Sequence, residues 1–217
     1  MKSRFLSAED GLDFLFEVRH DMGKEPDAQF ISQGKAQVLN EFGPMFRSPE
    51  TITYDRFRKF LQFSSNRHWT GLNRQLPNLT RDMKALRAAI SALVDESRPV
   101  PARFDEAVNM IRGMKEGIAT PILFVAYPEK YGVWNAKSEF GLRTLGLWPE
   151  ISGLTDGFRY VQINHALVRV RDDFNRRLGE SRLDLWTIDA YWHILKIWEG
   201  QGELEKMIDL WYLGRSR

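Results

Sequence analysis

The chain of 217 residues contains no cysteine, which excludes disulfide bonds, thiolate zinc sites and cysteine nucleophiles. It also lacks any apolar run close to the roughly eighteen residues that a membrane-spanning helix requires. The opening stretch MKSRFLSAEDGLDF does not contain the apolar core of a signal peptide. Because a chain without cysteine suits a reducing compartment, we expect a cytoplasmic protein.

Several motifs of cofactor and catalytic chemistry are missing as well. The sequence has no phosphate-binding loop ending in lysine, no dinucleotide-binding glycine fingerprint and no serine nucleophile elbow. Acidic pairs that can ligate magnesium are explained more simply as helix caps or solvated helix faces. We expect neither a metal nor a cofactor. The residues considered for a metal site are His20, His68, His165, His193, Asp172, Asp173, Asp184 and Asp189.

The remaining composition is typical of a globular helical protein. Hydrophobic residues make up 43% of the chain and charged residues 28%, so extensive disorder is not expected. Apolar residues recur at spacings of three and four, which indicates amphipathic helices rather than strands. We predict an all-α fold, with a single compact multi-helix domain over residues 1–217.

Turn-forming residues divide this domain into helices. We expect the Gly43-Pro44 pair to end the second helix, Asn78 or Thr80 to cap the fourth helix and Asp184 to cap the next-to-last helix. Glycines 200 and 202 separate the last two helices. The predicted helical ranges are 9–20, 28–42, 49–63, 80–96, 102–111, 119–126, a helix from 136, 158–178, one from 184 and a last one ending near 213.

Charge is distributed unevenly along the chain although the net charge is only +2. Residues 55–87 contain eight lysines or arginines and two acids, whereas residues 180–209 contain seven acids and three bases. A basic flank can bind the phosphates of a nucleic acid. An acidic flank can dock a partner protein.

The basic flank contains an aromatic residue among its cations. Trp69 can stack on a base while Arg67, His68, Arg74 and Arg81 contact phosphates. Alternatively, the indole fills a gap in the core and the arginines are solvated. Both interpretations stay open at this point.

The most function-like segment is a helical hairpin over residues 110–147, which reads IRGMKEGIATPILFVAYPEKYGVWNAKSEFGLRTLGL from its second residue onward. Gly113 and Gly117 permit positive φ and close backbone approach. Free N–H groups at the start of the following helix, beside Lys115, would form an anion site. The alternative is that the glycines only let two helices pack.

The loop after this apolar helix is rich in aromatic and basic residues. Tyr131, Trp134 and Asn135 can hold an extruded base by stacking and by hydrogen bonds to its edge, with Lys130 and Lys137 beside them. In the alternative interpretation, the tryptophan belongs to the core and the asparagine caps the helix that follows.

Residues 103–147 resemble the helix-hairpin-helix unit of the base-excision DNA glycosylases, the endonuclease III superfamily. Ile111 and Gly113 match the leucine and first glycine of its leucine-proline-glycine-x-glycine turn. The range 119–123 matches its apolar helix, and 133–135 matches its valine-aspartate catalytic loop. The resemblance implies a glycosylase-like fold and DNA as the partner.

The chain departs from that pattern at the positions that perform catalysis. Lys115 replaces the second turn glycine, Gly117 stands where the family has its lyase lysine, and Asn135 replaces the catalytic aspartate. An amide can neither act as a general base nor offset oxocarbenium charge. Glycosylase chemistry is therefore absent or rebuilt, and Lys115, Asn135, Lys137 and Glu139 are the candidates for rebuilding, each of which also suits a surface position.

A second resemblance covers residues 57–192. The runs RHWTGLNRQ, LTRDMKALRAAI, TPILFVAYPEKYGVWN and LDLWTIDAYW are similar to a bacterial module that accompanies restriction- or defence-type ATPases and nucleases. This resemblance implies a role that involves nucleic acids, with a restriction or defence protein as a partner. It assigns no reaction.

Three functional hypotheses follow. The first is a non-catalytic DNA-binding module that reads a modified or extruded base. The second is an active DNA N-glycosylase on modified or damaged bases, and the third is a protein-interaction module that docks through its acidic C-terminal helices. The candidate nucleic-acid-binding residues are Arg67, His68, Trp69, Arg74, Arg81, Gly113, Lys115, Gly117, Lys130, Tyr131, Trp134, Asn135 and Lys137.

Overall fold

The computed structural model describes residue 5, residues 7–179 and residues 182–215, so Glu180, the first residue of the acidic flank, lies outside the described residues. Throughout these ranges the regular secondary structure is helical and contains no strand. The all-α prediction is confirmed. None of the described helices is both long enough and apolar enough to cross a membrane.

Twelve α-helices follow one another in the described ranges. Two short 3₁₀ turns, Pro49–Thr51 and Leu72–Gln75, lie among them. The helices are α1 (Ala8–Lys24), α2 (Pro26–Arg47), α3 (Tyr54–Leu61), α4 (Phe63–Asn66), α5 (Leu76–Leu79), α6 (Met83–Val94), α7 (Val100–Met110), α8 (Glu116–Ala126), α9 (Ala136–Thr144), α10 (Asp156–Leu178), α11 (Leu185–Gln201) and α12 (Glu203–Arg215).

Helix α8 lies at the centre of the fold because it is apolar on all sides. Every residue from Ile118 to Ala126 is buried, as expected for a helix without a polar face. It packs against α2 and α6. Helix α11 packs against α2 on one side and against α9 on another, and α7 is enclosed by α6 and α10. The apolar side chains form one continuous core.

The predicted end of the second helix at Gly43-Pro44 is wrong. Helix α2 continues to Arg47, and the residues after the proline, Met45 and Phe46, are almost completely buried. A proline removes one backbone hydrogen bond from a helix. In this last turn, the burial of two large apolar side chains outweighs that loss.

Two other predicted helices differ in their bounds. The range 49–63 is divided, because the Thr53 side chain accepts from Arg56 N and caps α3, and Gln62 is extended. The helix predicted from residue 80 begins at Met83, where Asp82 caps it by accepting from two backbone N–H groups. Thr80 instead donates its hydroxyl to the carbonyl of Leu76 (2.7 Å).

The contact between α9 and α11 requires a glycine. Any side chain at Gly141 would overlap the indole ring of Trp192, which is itself fully buried. The two helices therefore approach more closely than they could with a larger residue. This contact positions the start of α9, where the candidate site lies.

We expect Gly141→Ala to lower the free energy of unfolding by about 1–3 kcal/mol, because the methyl group forces a packed indole to move. Urea denaturation measures this difference. Gly200→Ala is the matched control in α11, because no atom lies within 4 Å of its added methyl group. That variant should be unchanged or more stable by up to about 1 kcal/mol. Equal stabilities of the two variants would contradict the tight contact.

Candidate nucleic-acid cleft

A cleft of about 330 Å³ opens at the N-terminal end of α8. Its volume lies at the lower end of the range of roughly 300–1,000 Å³ that is typical of small-molecule sites. Three separate segments of the chain form its walls. Six of the predicted nucleic-acid-binding residues line it: Trp69, Gly113, Lys115, Gly117, Asn135 and Lys137.

The first wall is the turn between α7 and α8. Gly113 has φ +94°, and a side chain there would approach Gln75 Oε1 within 2.9 Å, so this position requires glycine. Gly117 does not adopt the positive φ that glycine permits, because it lies inside α8, which begins at Glu116. The exposed Lys115 is the N-cap residue.

The N–H groups at this end of α8 are only partly satisfied within the helix. The backbone N–H groups of Ile118 and Ala119 donate to the carbonyl of Lys115, at 2.9 and 2.8 Å. The amides of Glu116 and Gly117 are the ones that a helix start leaves without an intrahelical acceptor. Both residues line the cleft.

The second wall contains Trp69, which is only 4% exposed. Its Nε1 donates to Asp189 Oδ2 (3.0 Å), and its ring packs edge-on against Phe124. The side chain of Asn66 holds the loop by donating to the carbonyls of Phe60 and Trp69. An indole buried in this way cannot stack on a base, so the core-filling interpretation accounts for it.

The third wall is the start of α9, where the predicted cap is confirmed. Asn135 Oδ1 accepts from the N–H groups of Lys137 (2.8 Å) and Ser138 (3.1 Å), and Ser138 Oγ accepts from Asn135 N (3.0 Å). Bidentate pairing with an adenine edge needs both the oxygen and the nitrogen of the amide. Because the oxygen is occupied, only the Nδ2 donor is left for a ligand.

Lys137 connects this wall to a chain of polar groups. Its Nζ contacts His193 Nδ1, and His193 Nε2 lies 3.3 Å from Asp27 Oδ2. Burial lowers the pKa of Lys137, against the opposing effect of Asp189 and Asp27. Burial and the neighbouring lysine also lower the pKa of His193. Both groups are therefore held toward their neutral forms.

A buried carboxylate lies behind the cleft. Asp189 Oδ2 is 2.5 Å from His68 Nε2, and both side chains are at least nine-tenths buried. The imidazole also packs edge-on against Trp186. His68 is therefore a structural residue rather than a phosphate contact, which corrects the prediction made for the basic flank.

The sequence interpretation missed Asp189 and His193 as neighbours of the site. The two residues are four positions apart on α11, a spacing that places side chains on the same face of a helix. An acid and a histidine on one face of an otherwise apolar helix are the signal from which they could have been identified.

Two predicted residues lie at the opposite end of α8. Tyr131 donates its hydroxyl to Glu96 Oε1 (2.6 Å), and Lys130 contacts Glu96 Oε2 (2.5 Å). Burial and the bond to Glu96 raise the pKa of Tyr131 to about 12, and the fully buried Arg103 also contacts its hydroxyl. At 7% exposure, this tyrosine cannot form an aromatic pair with Trp134 around a base, so that prediction is wrong.

The remaining candidates have varied surroundings. Trp134 is half-buried against the core. Glu139 accepts from Arg143 Nε (2.8 Å) and does not line the cleft. The guanidinium of Arg67 lies 4.1 Å from the centre of the Phe30 ring. Arg74 and Arg81 are exposed and stay available for phosphate contacts.

The chain matches no protein-family model, no curated protein and no solved structure. The chemistry of the cleft therefore has to follow from its own residues.

We expect Asn135→Ala to destabilise the protein by about 1 kcal/mol, because two N–H groups at the start of α9 lose their acceptor. Asn135→Asp should retain most of the stability, since a carboxylate caps equally well and interacts favourably with the helix dipole. Chemical denaturation of both variants measures the difference. An Asn135→Ala variant as stable as the native protein would show that the cap does not stabilise α9.

Asp189→Ala should lower the free energy of unfolding by at least about 2 kcal/mol, because the buried Trp69 N–H loses its acceptor and the buried His68 imidazole loses the carboxylate beside it. The matched control is Asp172→Ala, which removes a half-exposed carboxylate paired with Arg171. Its effect should stay below about 1 kcal/mol. Thermal and urea unfolding give both values, and similar losses in the two variants would overturn the role given to Asp189.

Proposed function

We propose that the protein binds DNA and accepts an extruded nucleotide in the cleft at the N-terminal end of α8. One observation carries this proposal. Gly113, Lys115, Gly117, Asn135 and Lys137 were each predicted from the sequence as nucleic-acid contacts, and they line one cleft.

The geometry of α7, its turn and α8 supports the likeness to a helix-hairpin-helix unit over residues 103–147. Two helices of eleven residues each are joined by a short turn that contains Gly113 at positive φ. A turn of this kind leaves backbone N–H groups facing outward, which suits a phosphate oxygen. We infer that the DNA backbone contacts the protein here.

The cations around the mouth of the cleft support the same assignment. Lys115 is an exposed residue of its lining, and Arg112 is exposed in the same turn. Arg74 belongs to the 3₁₀ turn whose residues Leu72 and Gln75 line the cleft. These side chains can hold phosphates on either side of an extruded nucleotide.

Polar groups inside the cleft favour a base with an exocyclic amine. Asn135 offers the Nδ2 donor that its capping role leaves free, and the Glu116 carboxylate is an acceptor in the same lining. Adenine and cytosine each present an amine donor beside a ring acceptor on the edge used for pairing. The base is therefore recognised by hydrogen bonds to its edge. The stacking between two aromatic side chains that the sequence predicted is not needed.

Glycosylase catalysis is not part of this proposal. Asn135 is an amide whose oxygen caps α9, and Glu139 is bonded to Arg143 outside the cleft. Neither residue can activate water in the cleft as a catalytic carboxylate does.

We expect fluorescence anisotropy to show DNA binding that weakens as salt increases, with the steepest dependence for a duplex that contains one unpaired adenine or cytosine. Each lost phosphate contact reduces the slope of log K against log salt by about 0.9 for duplex DNA. Arg74→Gln and Lys115→Gln should each show this reduction. Lys206→Gln, on α12 and outside the cleft, should leave the slope unchanged.

A 2-aminopurine placed at the unpaired position reports extrusion, because its fluorescence rises when it leaves the base stack. Asn135→Asp preserves the cap but removes the donor that faces the ligand, so it should reduce this signal. The absence of DNA affinity at low salt, for duplex, single-stranded and modified substrates alike, would overturn the proposal.

A further inference from the structure

We propose that a groove between α2 and α11 binds a small apolar monocarboxylate, whose carboxylate is held by Tyr191 and Arg19. No described residue lines both this groove and the cleft at the start of α8. The inference therefore does not depend on DNA binding, and the two proposals can fail separately.

Two adjoining hollows form the groove. One has a volume of about 290 Å³ and lies between α2 and α11, whereas the other, of about 430 Å³, lies beside the last turns of α1. Gly23 and Tyr191 line both hollows, so the two join above these residues. Joined, they reach the volume of typical small-molecule sites, roughly 300–1,000 Å³.

The floor of the first hollow is apolar. Ala28 of α2 and Ala190 of α11 are buried and small, which leaves a depression between the two helices. Trp186 completes this floor, and its Nε1 already donates to the carbonyl of Ile31 (3.0 Å). A polar ligand body would lose its hydrogen bonds to water here without replacement. The floor therefore suits an apolar body.

Tyr191 supplies a hydrogen-bond donor that the protein does not use. The residue is only 5% exposed, yet its hydroxyl makes no hydrogen bond within the described ranges. The hydroxyl oxygen is not sealed in the core, so it opens onto the groove that the residue lines. Buried tyrosines usually pair their hydroxyl. This one is left for water or for a ligand.

Arg19 brings a positive charge to the same place. It lines the second hollow together with Tyr191. Its guanidinium lies 3.8 Å from the centre of the Phe16 ring and donates to the Phe16 carbonyl, which fixes its position and leaves further donors unused. No carboxylate in the described part of the chain pairs with it. Arg19 is thus a fixed cation that lacks a counter-ion.

The charge of Arg19 acts on the phenol. Burial raises the pKa of Tyr191, the charge of Arg19 opposes that change, and the charge of Asp184 adds to it. The hydroxyl therefore stays protonated at neutral pH and is a donor. A guanidinium and a hydroxyl that lie near each other can both donate to one carboxylate, and such charge-assisted hydrogen bonds are the stronger ones.

The other charges near the groove are already paired, which limits the ligand to a single negative charge. Lys24 Nζ lies 3.2 Å from Asp21 Oδ1, and Lys35 contacts Asp184. Arg19 alone is left to neutralise a ligand. A phosphate dianion would bring a second charge without a partner, which is unfavourable in a partly buried site.

Gly23 keeps the junction of the two hollows open. It lies inside α1, where glycine is less favourable than alanine. Its φ is not positive, and no atom lies within 4 Å of an added Cβ. Neither backbone conformation nor packing therefore requires glycine here. A larger side chain would instead project into open space where the hollows meet, so the groove is the feature that this glycine preserves.

Isothermal titration calorimetry of the full chain tests the ligand chemistry. The ligands are octanoate and phenylacetate, their uncharged amides, and phenyl phosphate. We expect the carboxylates to bind at least about 10-fold more tightly than the amides, because only they pair with Arg19. Phenyl phosphate should bind more weakly than phenylacetate. The tighter of the two carboxylates shows whether the apolar body is a chain or a ring.

Substitutions of the two anchors test the site. Tyr191→Phe should weaken carboxylate binding at least about 10-fold, the effect of one lost hydrogen bond to a charged group. Its melting temperature should not change, because the hydroxyl has no partner in the described part of the protein. Arg19→Gln should weaken binding by a similar factor. Arg169→Gln is the matched control, because this exposed α10 arginine lines neither hollow.

A filled groove gives a test that keeps both anchors. Gly23→Leu should abolish carboxylate binding, and its melting temperature should be unchanged or raised, since leucine favours a helix. Gly200→Leu is the matched control, because its side chain also meets open space but lies outside the groove. It should bind like the native protein.

The outcomes decide the inference without reference to DNA. Absence of carboxylate binding, or amides that bind as tightly as the acids, overturns it. Binding that survives Gly23→Leu, or that survives both Tyr191→Phe and Arg19→Gln, places the ligand elsewhere and also overturns it. Phenyl phosphate that binds more tightly than phenylacetate contradicts the single negative charge.

Discussion

The carboxylate of Asp189 is the group on which the architecture of the cleft depends. It lies on α11 and accepts from the indole nitrogen of Trp69, while the imidazole of His68 lies within 2.5 Å. A buried carboxylate without partners is costly. The loop after α4 therefore cannot separate from α11 without exposing or unpairing these groups. Since α9 packs against the same helix through Gly141, two of the three walls are fixed to α11.

The first wall, at the start of α8, is rigid for a different reason. Helix α8 is buried on all sides beyond its first two residues, so its N-terminal end cannot tilt without disturbing the core. A site built on three fixed walls requires little ordering when a ligand binds, and this reduces the free-energy cost of association. Burial at the border of the core also lowers the pKa of Lys137 and of His193. The packing that stabilises the fold thus also shifts the pKa of both groups.

Features that depend on neighbouring residues could be predicted from the sequence, whereas features that depend on burial could not. The caps at Asn135 and Asp184 were predicted correctly because a side chain bonds to amides two or three residues away. The end of α2 was predicted wrongly, because the burial of Phe46 depends on helices that are distant in sequence. For the same reason, the contacts between Lys137, His193 and Asp27 could not be predicted. These residues belong to three different helices and form no local sequence pattern.

The aromatic residues show most clearly where sequence patterns stop being informative. Trp69 and Tyr131 have the composition of base-stacking residues, yet each is buried and its polar atom is satisfied by a carboxylate, Asp189 and Glu96 respectively. Without a stacking surface, a nucleotide in the cleft would be selected by hydrogen bonds. Such selection is strict, because a ligand that lacks the matching group leaves polar atoms of the site unpaired.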